Sequence, residues 1–453
     1  MEPLRFHLFA CEQQKPEGVP GCAARGAART LDALRKEIAA RGLTDEVQIT
    51  SCGSIGLCER GPNLIVYPDG VWYSGVQPED AAEIVESHLQ HGRPVARLVN
   101  NDAGALAAEV RLNRDKYLAG LRARDAAGAM PDDVMQMIRG YQDSRVVLTA
   151  IELDVFTAVG DRTTAAEVAQ TIGADRRGTE MLLNALVALG LLTKDGGAFA
   201  VTPVSRRFFT AGGQNDARAA TMHTVGQWER WSKLTDAVRA GGDIAGAEIP
   251  HRGSDWLQSF IAAMHRNASE RAAAVVHAAG ASGVSRMLDV GGGSGAYSIA
   301  FAQANPQLHA EVFDLENVLP MTRGYIAAAG LESRVATRQG DLRSDVFGSG
   351  YDLVFVSAVC HMLSPAENRD LLARCFAALA PSGRIVINDF ILNAEKTAPK
   401  AGALFSLNML VGTRQGASYS EDEYRGWLAE AGFEKIERIR LAGPTNLMTG
   451  TRR

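Results

Sequence analysis

A glycine-rich segment in the second half of the chain has the residue types of a nucleotide-binding turn. It reads LDVGGGSG over residues 288–295, directly after a strand-like apolar run and before a helix-like one. Gly291, Gly293 and Gly295 lack a Cβ, so the backbone can turn tightly and approach a ligand, and the helix that follows offers free N–H groups. The spacing G-x-G-x-G differs from the G-x-G-x-x-G of dinucleotide sites, which disfavours a ligand with a pyrophosphate.

Acidic residues in three successive strand-like segments complete this pattern. Asp289 lies in the first segment, and Asp314 stands 25 residues later at the end of the second, where a carboxylate can accept hydrogen bonds from both hydroxyls of a ribose. Gly340 and Asp341 end the third, where an adenine amino group would lie. We therefore predict a nucleoside site formed by the three glycines and these four residues.

A histidine follows the fourth strand of the same region. His361 stands in SAVCHMLSPAENRDLL, and an imidazole with a pKa near ~6.5 can take a proton from a hydroxyl group. Because ligands of parallel sheets bind at the carboxyl ends of the strands, His361 is a candidate general base. Asp389, after the fifth strand, either caps the next loop or points into the site. Nothing beside it resembles a metal-binding set, so we expect no divalent ion.

The cysteines are concentrated near the N-terminus. Four of the six lie within the first 58 residues: Cys11, Cys22, Cys52 and Cys58. In a reducing compartment, clustered thiols indicate metal or cluster ligation before disulfides. Cys360 and Cys375, far downstream, are typical of a protein core.

The elements that position these residues divide the chain into four segments of an α/β protein. Residues 1–100 alternate strand and helix patterns, with an Asp-Gly hairpin turn at 69–70, and predict a small α/β domain with its cysteines in loops. Residues 101–130 predict a helical linker. Residues 131–280 are almost purely helical and include two helices around a glycine turn followed by a hairpin, which is a winged helix. Residues 281–453 alternate apolar strands with helices and predict a parallel, doubly wound Rossmann-like sheet.

The predicted winged helix favours dimerisation over DNA binding. Its would-be recognition helix, DRRGTEMLLNALVALG, has Arg176 and Arg177 only at its start. Apolar residues dominate the rest: Met181, Leu182, Leu183, Leu186, Val187 and Leu189. A helix that reads bases needs a polar face, whereas these residues require burial. We therefore expect a homodimer formed through residues 132–210 and no nucleic-acid partner.

Composition agrees with a protein of the cytoplasm. The 453 residues carry a net charge of −5 with 22% charged residues, and the pI is about 6.0, so nothing attracts the chain as a whole to nucleic acid or to an anionic membrane. No apolar run approaches the ~18 residues that span a bilayer. The N-terminal MEPLRFHLFACEQQ interrupts its apolar residues with Arg5 and His7, unlike a signal peptide. We expect no membrane partner and a cytoplasmic location.

Residues 130–453 resemble the class I S-adenosylmethionine-dependent small-molecule O-methyltransferases that carry an N-terminal winged-helix dimerisation domain. The resemblance is carried by the helical region, LDVGGGSG, FDLENV, GDL and the histidine after the fourth strand. It implies that S-adenosylmethionine binds at the predicted nucleoside site and that His361 is the base toward the acceptor hydroxyl. The matching segments FIAAMHRNASERA and FSLNMLVG imply acceptor contacts by four residues: Met264, His265, Asn408 and Met409.

One departure concerns the acceptor. Plant-type members follow this histidine with Asp and Trp, but Met362 and Leu363 stand here, so the resemblance gives neither an acidic partner nor a phenolic substrate. We expect a small, largely apolar acceptor with a hydroxyl or an electron-rich carbon. Transfer from a sulfonium is an in-line displacement, which proximity alone accelerates. The alternative is a non-methylating redox enzyme or sensor that uses this fold for binding.

Residues 4–99 resemble the thioredoxin-like [2Fe-2S] ferredoxins and the related small subunit of NADH:quinone oxidoreductases. The resemblance is carried by Cys11-x10-Cys22, GCAARGAARTLDALRKEI and LCERGPNLIVYPDGVWYSGV. It implies a cluster on Cys11, Cys22, Cys52 and Cys58, because four thiolates are what a two-iron cluster needs. The last two ligands of the family are spaced C-x3-C, however, and Ser54 occupies the third position, with Cys52 two residues upstream. The domain would deliver electrons, sense redox state or dock an electron-transfer partner; the alternative is a degenerate docking domain.

Overall fold

The structure is a computed structural model that describes residues 4–15, 19, 21–242 and 253–453, with the backbone alone at 254 and 255. The chain forms two compact units, Met1–Ile138 and Arg139–Arg453. The predicted Rossmann-like segment and all of the predicted winged-helix segment except residues 131–138 thus fall in the second unit. In the described residues, no helix is both long enough and apolar enough to cross a membrane.

The first unit is a four-stranded sheet with helices. Its strands are β1 (Phe6–Cys11), β2 (Val47–Cys52), β3 (Asn63–Tyr67) and β4 (Val71–Ser74). Its helices are α1 (Ala27–Ala40), α2 (Ala81–Glu83, continued by the π-helical residues Ile84–Gln90) and α3 (Ala103–Ala126). The strand order is β2-β1-β3-β4, with β1 parallel to β2 and the other pairs antiparallel. Phe6, Leu8 and Ala10 of β1 are buried, as expected when alternate side chains of a strand face the core.

The helical part of the chain extends from residue 132 to residue 279. Its helices are α4 (Asp132–Arg139), α5 (Tyr141–Glu152), α6 (Val155–Val159), α7 (Ala165–Ile172), α8 (Arg176–Ala188), α9 (Pro203–Phe209), α10 (Arg218–Trp231), α11 (Leu234–Ala240) and α12 (Ser254–Ala279). Short strands β5 (Thr163–Thr164), β6 (Leu192–Asp195) and β7 (Ala198–Val201) form a small sheet. A capping box of Thr164 and Glu167 starts α7, and Gly173 with φ +65° ends it. The predicted helix pair and hairpin of the winged helix are present.

The C-terminal part is a seven-stranded sheet between helices. Its seven strands are β8 (Arg286–Val290), β9 (His309–Asp314), β10 (Val335–Gln339), β11 (Tyr351–Ser357), β12 (Leu379–Asp389), β15 (Glu434–Ile439) and β16 (Asn446–Thr451). A separate pair is β13 (Ile391–Leu392) and β14 (Tyr419–Ser420). The helices are α13 (Ala296–Ala304), α14 (Leu319–Ala328), α15 (Pro365–Ala378), α16 (Lys400–Gly412) and α17 (Glu421–Glu430).

The order of the large sheet is β10-β9-β8-β11-β12-β16-β15, so the strand order reverses between the neighbouring strands β8 and β11. Four residues of β8 and five of β11 are buried, as expected for strands covered on both faces. The prediction of a wholly parallel sheet is wrong for β16, which pairs antiparallel with both neighbours. The reason is the short link of residues 440–445 between β15 and β16, because a parallel crossover needs about a dozen residues.

Candidate active site

The glycine-rich segment forms the turn from β8 to α13. Gly291 has φ +66°, and a Cβ there would lie 2.7 Å from Val359 Cγ2, so only glycine is tolerated. Two hydrogen bonds hold the middle of the turn: the Gly293 N–H donates to Asp314 Oδ2 at 2.7 Å, and the Thr322 hydroxyl donates to the Gly293 carbonyl at 2.6 Å. The predicted turn is therefore an ordered loop, which hydrogen bonds to side chains of β9 and α14 hold in place.

Two carboxylates beside this loop are strongly perturbed. Asp289 is 1% exposed; Ser298 donates to its Oδ2 at 2.8 Å, while its Oδ1 has no hydrogen-bond partner among the described residues. Burial raises the pKa of Asp289 to about 7 and that of Asp314 to about 6. Two neighbouring carboxylates, one buried and one partly buried, favour a cationic ligand, because its charge offsets the cost of ionising them.

The third predicted strand end lies on the same cavity wall. A Cβ at Gly340 would overlap the Phe313 ring, so the glycine permits the close approach of β10 to β9. The Asp341 carboxylate accepts a hydrogen bond from the Arg343 N–H at 2.8 Å, while Asp345 accepts one from the Asp341 N–H. Asp289, Gly291, Gly293, Asp314, Gly340 and Asp341 all line one cavity. Gly295, with φ +74°, forms the N-cap of α13.

His361 and Asp389 form a buried pair at the carboxyl edge of the sheet. His361 lies in a 3-10 turn after β11, and Asp389 is the last residue of β12, so parallel pairing brings both to one edge. The imidazole Nδ1 is 2.7 Å from Asp389 Oδ1, and the N–H of Phe390 donates to the same oxygen at 2.8 Å. A carboxylate accepts, so Nδ1 carries the proton and Nε2 is left with the lone pair. This is the arrangement of an oriented general base.

The cavity joins the glycine loop to His361 and has a volume of about 840 Å³. Two stacked aromatic pairs line it. Phe390 and Phe405 stack with centroids 4.0 Å apart and an interplanar angle of 15°, while Trp256 and Phe260 stack at 5.0 Å and 10°. The His361 ring meets Phe405 edge-on at 4.7 Å. Flat apolar walls of this kind match flat apolar ligands.

The residues predicted to contact the acceptor do not all reach this cavity. Met264, Asn408 and Met409 line it, and Asn408 Oδ1 accepts a hydrogen bond from Trp231 Nε1 at 3.1 Å. His265 is not among the lining residues; its Nδ1 lies 3.0 Å from Ser294 Oγ in the glycine loop. The reason is helical geometry, since consecutive residues of α12 point about 100° apart.

Sequence reasoning missed several lining residues. The four aromatic residues are scattered over three segments and have no motif. Arg271 lies on α12 two helical turns after Met264 and lines the cavity. Burial raises the pKa of the Tyr297 hydroxyl, and the positive charge of Arg271 acts in the opposite direction. Met264 and Arg271 are seven residues apart on a predicted helix and therefore lie on one face, which is the sequence pattern that could have indicated Arg271.

The cysteines of the first unit lie near one end of its sheet. A hydrogen bond from the Cys22 thiol lowers the pKa of Cys11, and the backbone N–H groups of Gln13 and Ile55 also donate to the Cys11 sulfur. Asn63 Nδ2 donates to the Cys22 sulfur at 3.4 Å. Both thiols are buried. These donors, together with the positive charge of Lys15, stabilise negative charge on the Cys11 sulfur.

The other sulfur-bearing loop presents a different pair. Ser54 Oγ is 3.1 Å from Cys58 Sγ, whereas Cys52 is the register partner of Cys11 on the neighbouring parallel strand. Within the described ranges, no three His, Cys, Asp or Glu side chains form a group that could hold a metal ion. The predicted set of Cys11, Cys22, Cys52 and Cys58 is thus not assembled as one group. Cys11 and Cys52 end the neighbouring strands β1 and β2, whereas Ser54 and Cys58 lie in the segment that follows β2.

Helix α3 holds the loop that carries Ser54 and Cys58. Asn113 Nδ2 donates to the Gly56 carbonyl at 2.7 Å, and Arg60 pairs with Glu109 at 2.5 Å. The segment predicted as a helical linker is therefore a helix that contacts the cysteine loop within the first unit.

Comparisons with known proteins define the second unit. A family model described as the O-methyltransferase domain matches residues 231–434, and one described as the O-methyltransferase dimerisation domain matches residues 135–211. The 3-hydroxy-5-methyl-1-naphthoate 3-O-methyltransferase of Streptomyces sahachiroi is 32% identical over 322 residues, covering 69% of this chain and 92% of that protein. The tetracenomycin polyketide synthesis 8-O-methyl transferase TcmO of Streptomyces glaucescens is 26% identical, covering 71% and 96%.

A solved structure of PigF with SAH superimposes with a TM-score of 0.67 at 25% identity, covering 71% of this chain and 100% of its own. The fold and the site therefore define an S-adenosylmethionine-binding enzyme of class I. The chain belongs to the S-adenosylmethionine-dependent O-methyltransferase family. It acts on small molecules, and residues 135–211 are its dimerisation domain.

Proposed function

We propose that this enzyme methylates a hydroxyl group on a flat aromatic small molecule, with His361 as the general base. The observation that carries the proposal is the His361–Asp389 pair on the wall of the cavity that also contains the glycine loop. As the hydroxyl oxygen bonds to the methyl carbon, the carbon–sulfur bond breaks and its electrons stay on sulfur. Nε2 of His361 takes the hydroxyl proton, and Asp389 stabilises the imidazolium that forms.

The residues around the loop fit S-adenosylmethionine. Asp314 would accept hydrogen bonds from the ribose hydroxyls, and Gly340 with Asp341 would contact the adenine. The unpartnered Oδ1 of Asp289 needs a donor, which the ammonium group of the methionine end supplies. Arg271 is a suitable partner for the methionine carboxylate. The positive sulfonium would further favour the ionised form of both Asp289 and Asp314.

The acceptor class follows from the cavity walls and agrees with the relatives. Two stacked aromatic pairs favour a planar ring system, and offset stacking on such walls is worth about 0.5–1.5 kcal/mol per pair. The two relatives compared above are named for a hydroxynaphthoate and for a polyketide. We propose that the acceptor of this enzyme belongs to the same class of hydroxylated polycyclic aromatics.

Incubation with methyl-labelled S-adenosylmethionine and a panel of hydroxylated naphthoates and polyketide aromatics tests the proposal. We expect labelled O-methyl product from at least one planar phenol and none from aliphatic alcohols of similar size. His361→Ala should retain cofactor binding and lose the label. Consumption of an acceptor without label in the product would contradict the proposal and support the non-methylating alternative.

We propose that the dimerisation domain pairs two copies of this chain. Val134, Met137 and Ile138 of α4 are exposed by 39–72% and have the spacing i, i+3, i+4 of one helical face. An uncovered apolar stripe of this kind requires a partner surface. Sedimentation of the full chain should give a dimer; a monomer at micromolar concentration would contradict this.

We propose further that the first unit is a thioredoxin-like domain that holds a [2Fe-2S] cluster and serves an electron-transfer partner. Its strand order supports the fold, and two donor pairs, Cys11 with Cys22 and Ser54 with Cys58, would supply two ligands for each iron. The 3.1 Å contact to Cys58 favours Ser54 over Cys52 as the third ligand. When bound, such a cluster supplies one-electron transfer.

Iron and sulfide analysis of the anaerobically purified full chain tests this module. We expect two irons per chain and visible absorbance, both lost in Ser54→Ala and kept, with a changed spectrum, in Ser54→Cys. The matched variant Cys52→Ser should retain the wild-type spectrum. A colourless, iron-free wild-type protein would exclude the cluster, whereas loss of iron in Cys52→Ser alone would assign the ligand to Cys52.

A further inference from the structure

The glycine loop is held by one histidine whose ring does not line the cavity. His265, on α12, places Nδ1 3.0 Å from Ser294 Oγ and Nε2 3.4 Å from Ser269 Oγ. Its ring stacks on Tyr325 of α14, with centroids 3.7 Å apart and an interplanar angle of 14°. Burial lowers the pKa of this histidine, so its ring is neutral at physiological pH. Ser294 is 3% exposed and lies between Gly293 and Gly295.

Helix α14 contacts the same loop through a second residue. Thr322 and Tyr325 are three residues apart on α14 and therefore lie on one face. Thr322 donates to the Gly293 carbonyl at 2.6 Å, while Tyr325 supports the ring that contacts Ser294. Two adjacent residues of the loop are thus held by α14, one directly and one through His265. Three glycines of the loop have φ between +55° and +74°, which glycine adopts without strain, so the loop's geometry depends on contacts such as these.

We propose that His265 is a positioning residue for S-adenosylmethionine rather than an acceptor contact. Acting through Ser294, it holds the glycine loop in the geometry that meets the cofactor, and Tyr325 fixes the plane of its ring. The inference rests on the cofactor site proposed above. It separates two neighbours on α12: Met264 belongs to the acceptor cavity, and His265 belongs to the cofactor loop.

Steady-state kinetics and SAH binding on the full chain test this assignment. One neutral hydrogen bond contributes about 0.5–1.5 kcal/mol, which corresponds to about a 2- to 10-fold change. His265→Ala and Ser294→Ala should each raise KM for S-adenosylmethionine and Kd for SAH by this factor, with the acceptor KM unchanged. The double variant should be no worse than either single variant, because both remove the same bond. His265→Gln, which can still hydrogen-bond, should recover most of the affinity.

His277 provides the matched control, since it is an exposed histidine on the same helix. His277→Ala should leave both KM values unchanged. An acceptor KM raised by His265→Ala would overturn the proposal in favour of an acceptor contact. Additive losses in the double variant, or a lower melting temperature with unchanged Kd for SAH in the folded fraction, would overturn it in favour of simple packing. Failure of the wild-type chain to bind SAH would instead refute the cofactor site and the inference together.

Discussion

Replacing Asp389 by asparagine isolates the role of the His361–Asp389 pair. Asn has the shape of Asp, so the buried site at the end of β12 keeps its packing. In the wild type, the Asp389 carboxylate accepts a hydrogen bond from Nδ1 of His361 at 2.7 Å. The Asn amide can donate to Nδ1, which would leave the imidazole proton on Nε2. The nitrogen that faces the acceptor would then be unable to take a proton.

The magnitude follows from the bond that is lost. A hydrogen bond to a charged group contributes about 1.5–3 kcal/mol, or about 10- to 10²-fold in rate, and loss of a general base costs about 10²- to 10⁴-fold. We expect Asp389→Asn to lower kcat by about 10²-fold at pH 8. KM for S-adenosylmethionine should stay within twofold, because Asp389 does not contact the glycine loop. The assay is label transfer at saturating cofactor.

Two further variants make the result decisive. Asp370→Asn changes an exposed aspartate on α15 that pairs with Arg374, and it should leave kcat unchanged. His361→Asn should lose at least as much activity as Asp389→Asn. A kcat for Asp389→Asn within threefold of wild type, with SAH binding intact, would refute the base mechanism and leave alignment of the two substrates as the source of catalysis.

Three other predictions test the cofactor site and the dimer. Gly340→Ala should abolish SAH binding, measured by calorimetry, because the new Cβ overlaps the Phe313 ring; wild-type affinity would contradict this close approach. The pKa of Asp314 is raised from 3.8 to about 6, so its contribution to stability is present below about pH 4 and is lost as pH rises through 6. Since only the ionised form accepts both ribose hydroxyls, the SAH-induced rise in melting temperature should be larger at pH 8 than at pH 5.5, and an equal rise at both would contradict it. Met137→Glu, at a side chain that is 72% exposed, should weaken the dimer at least tenfold in sedimentation while the monomer keeps its fold; an unchanged dimer would place the interface elsewhere.

Local patterns carried much of the fold. The capping box at the start of α7 and the glycine turn after β8 each follow from nearest-neighbour chemistry, and each was predictable. The antiparallel pairing of β16 could have been predicted from the six-residue link before it, which is too short for a parallel crossover. His265 was misleading, because its neighbour Met264 does line the cavity and a one-residue step on a helix changes the face.

The sequence by itself determined the class of enzyme, and it singled out the glycine-rich turn and the candidate base, because these depend on short motifs whose backbone requirements are local. Only the tertiary structure decided which groups complete them. Asp389 becomes the partner of His361 because two parallel strands, β11 and β12, end at the same edge. The aromatic walls and the contact between Ser54 and Cys58 likewise depend on where separate segments meet. Contacts between distant segments depend on the packing of the whole chain, which the spacing of residues within a motif does not specify.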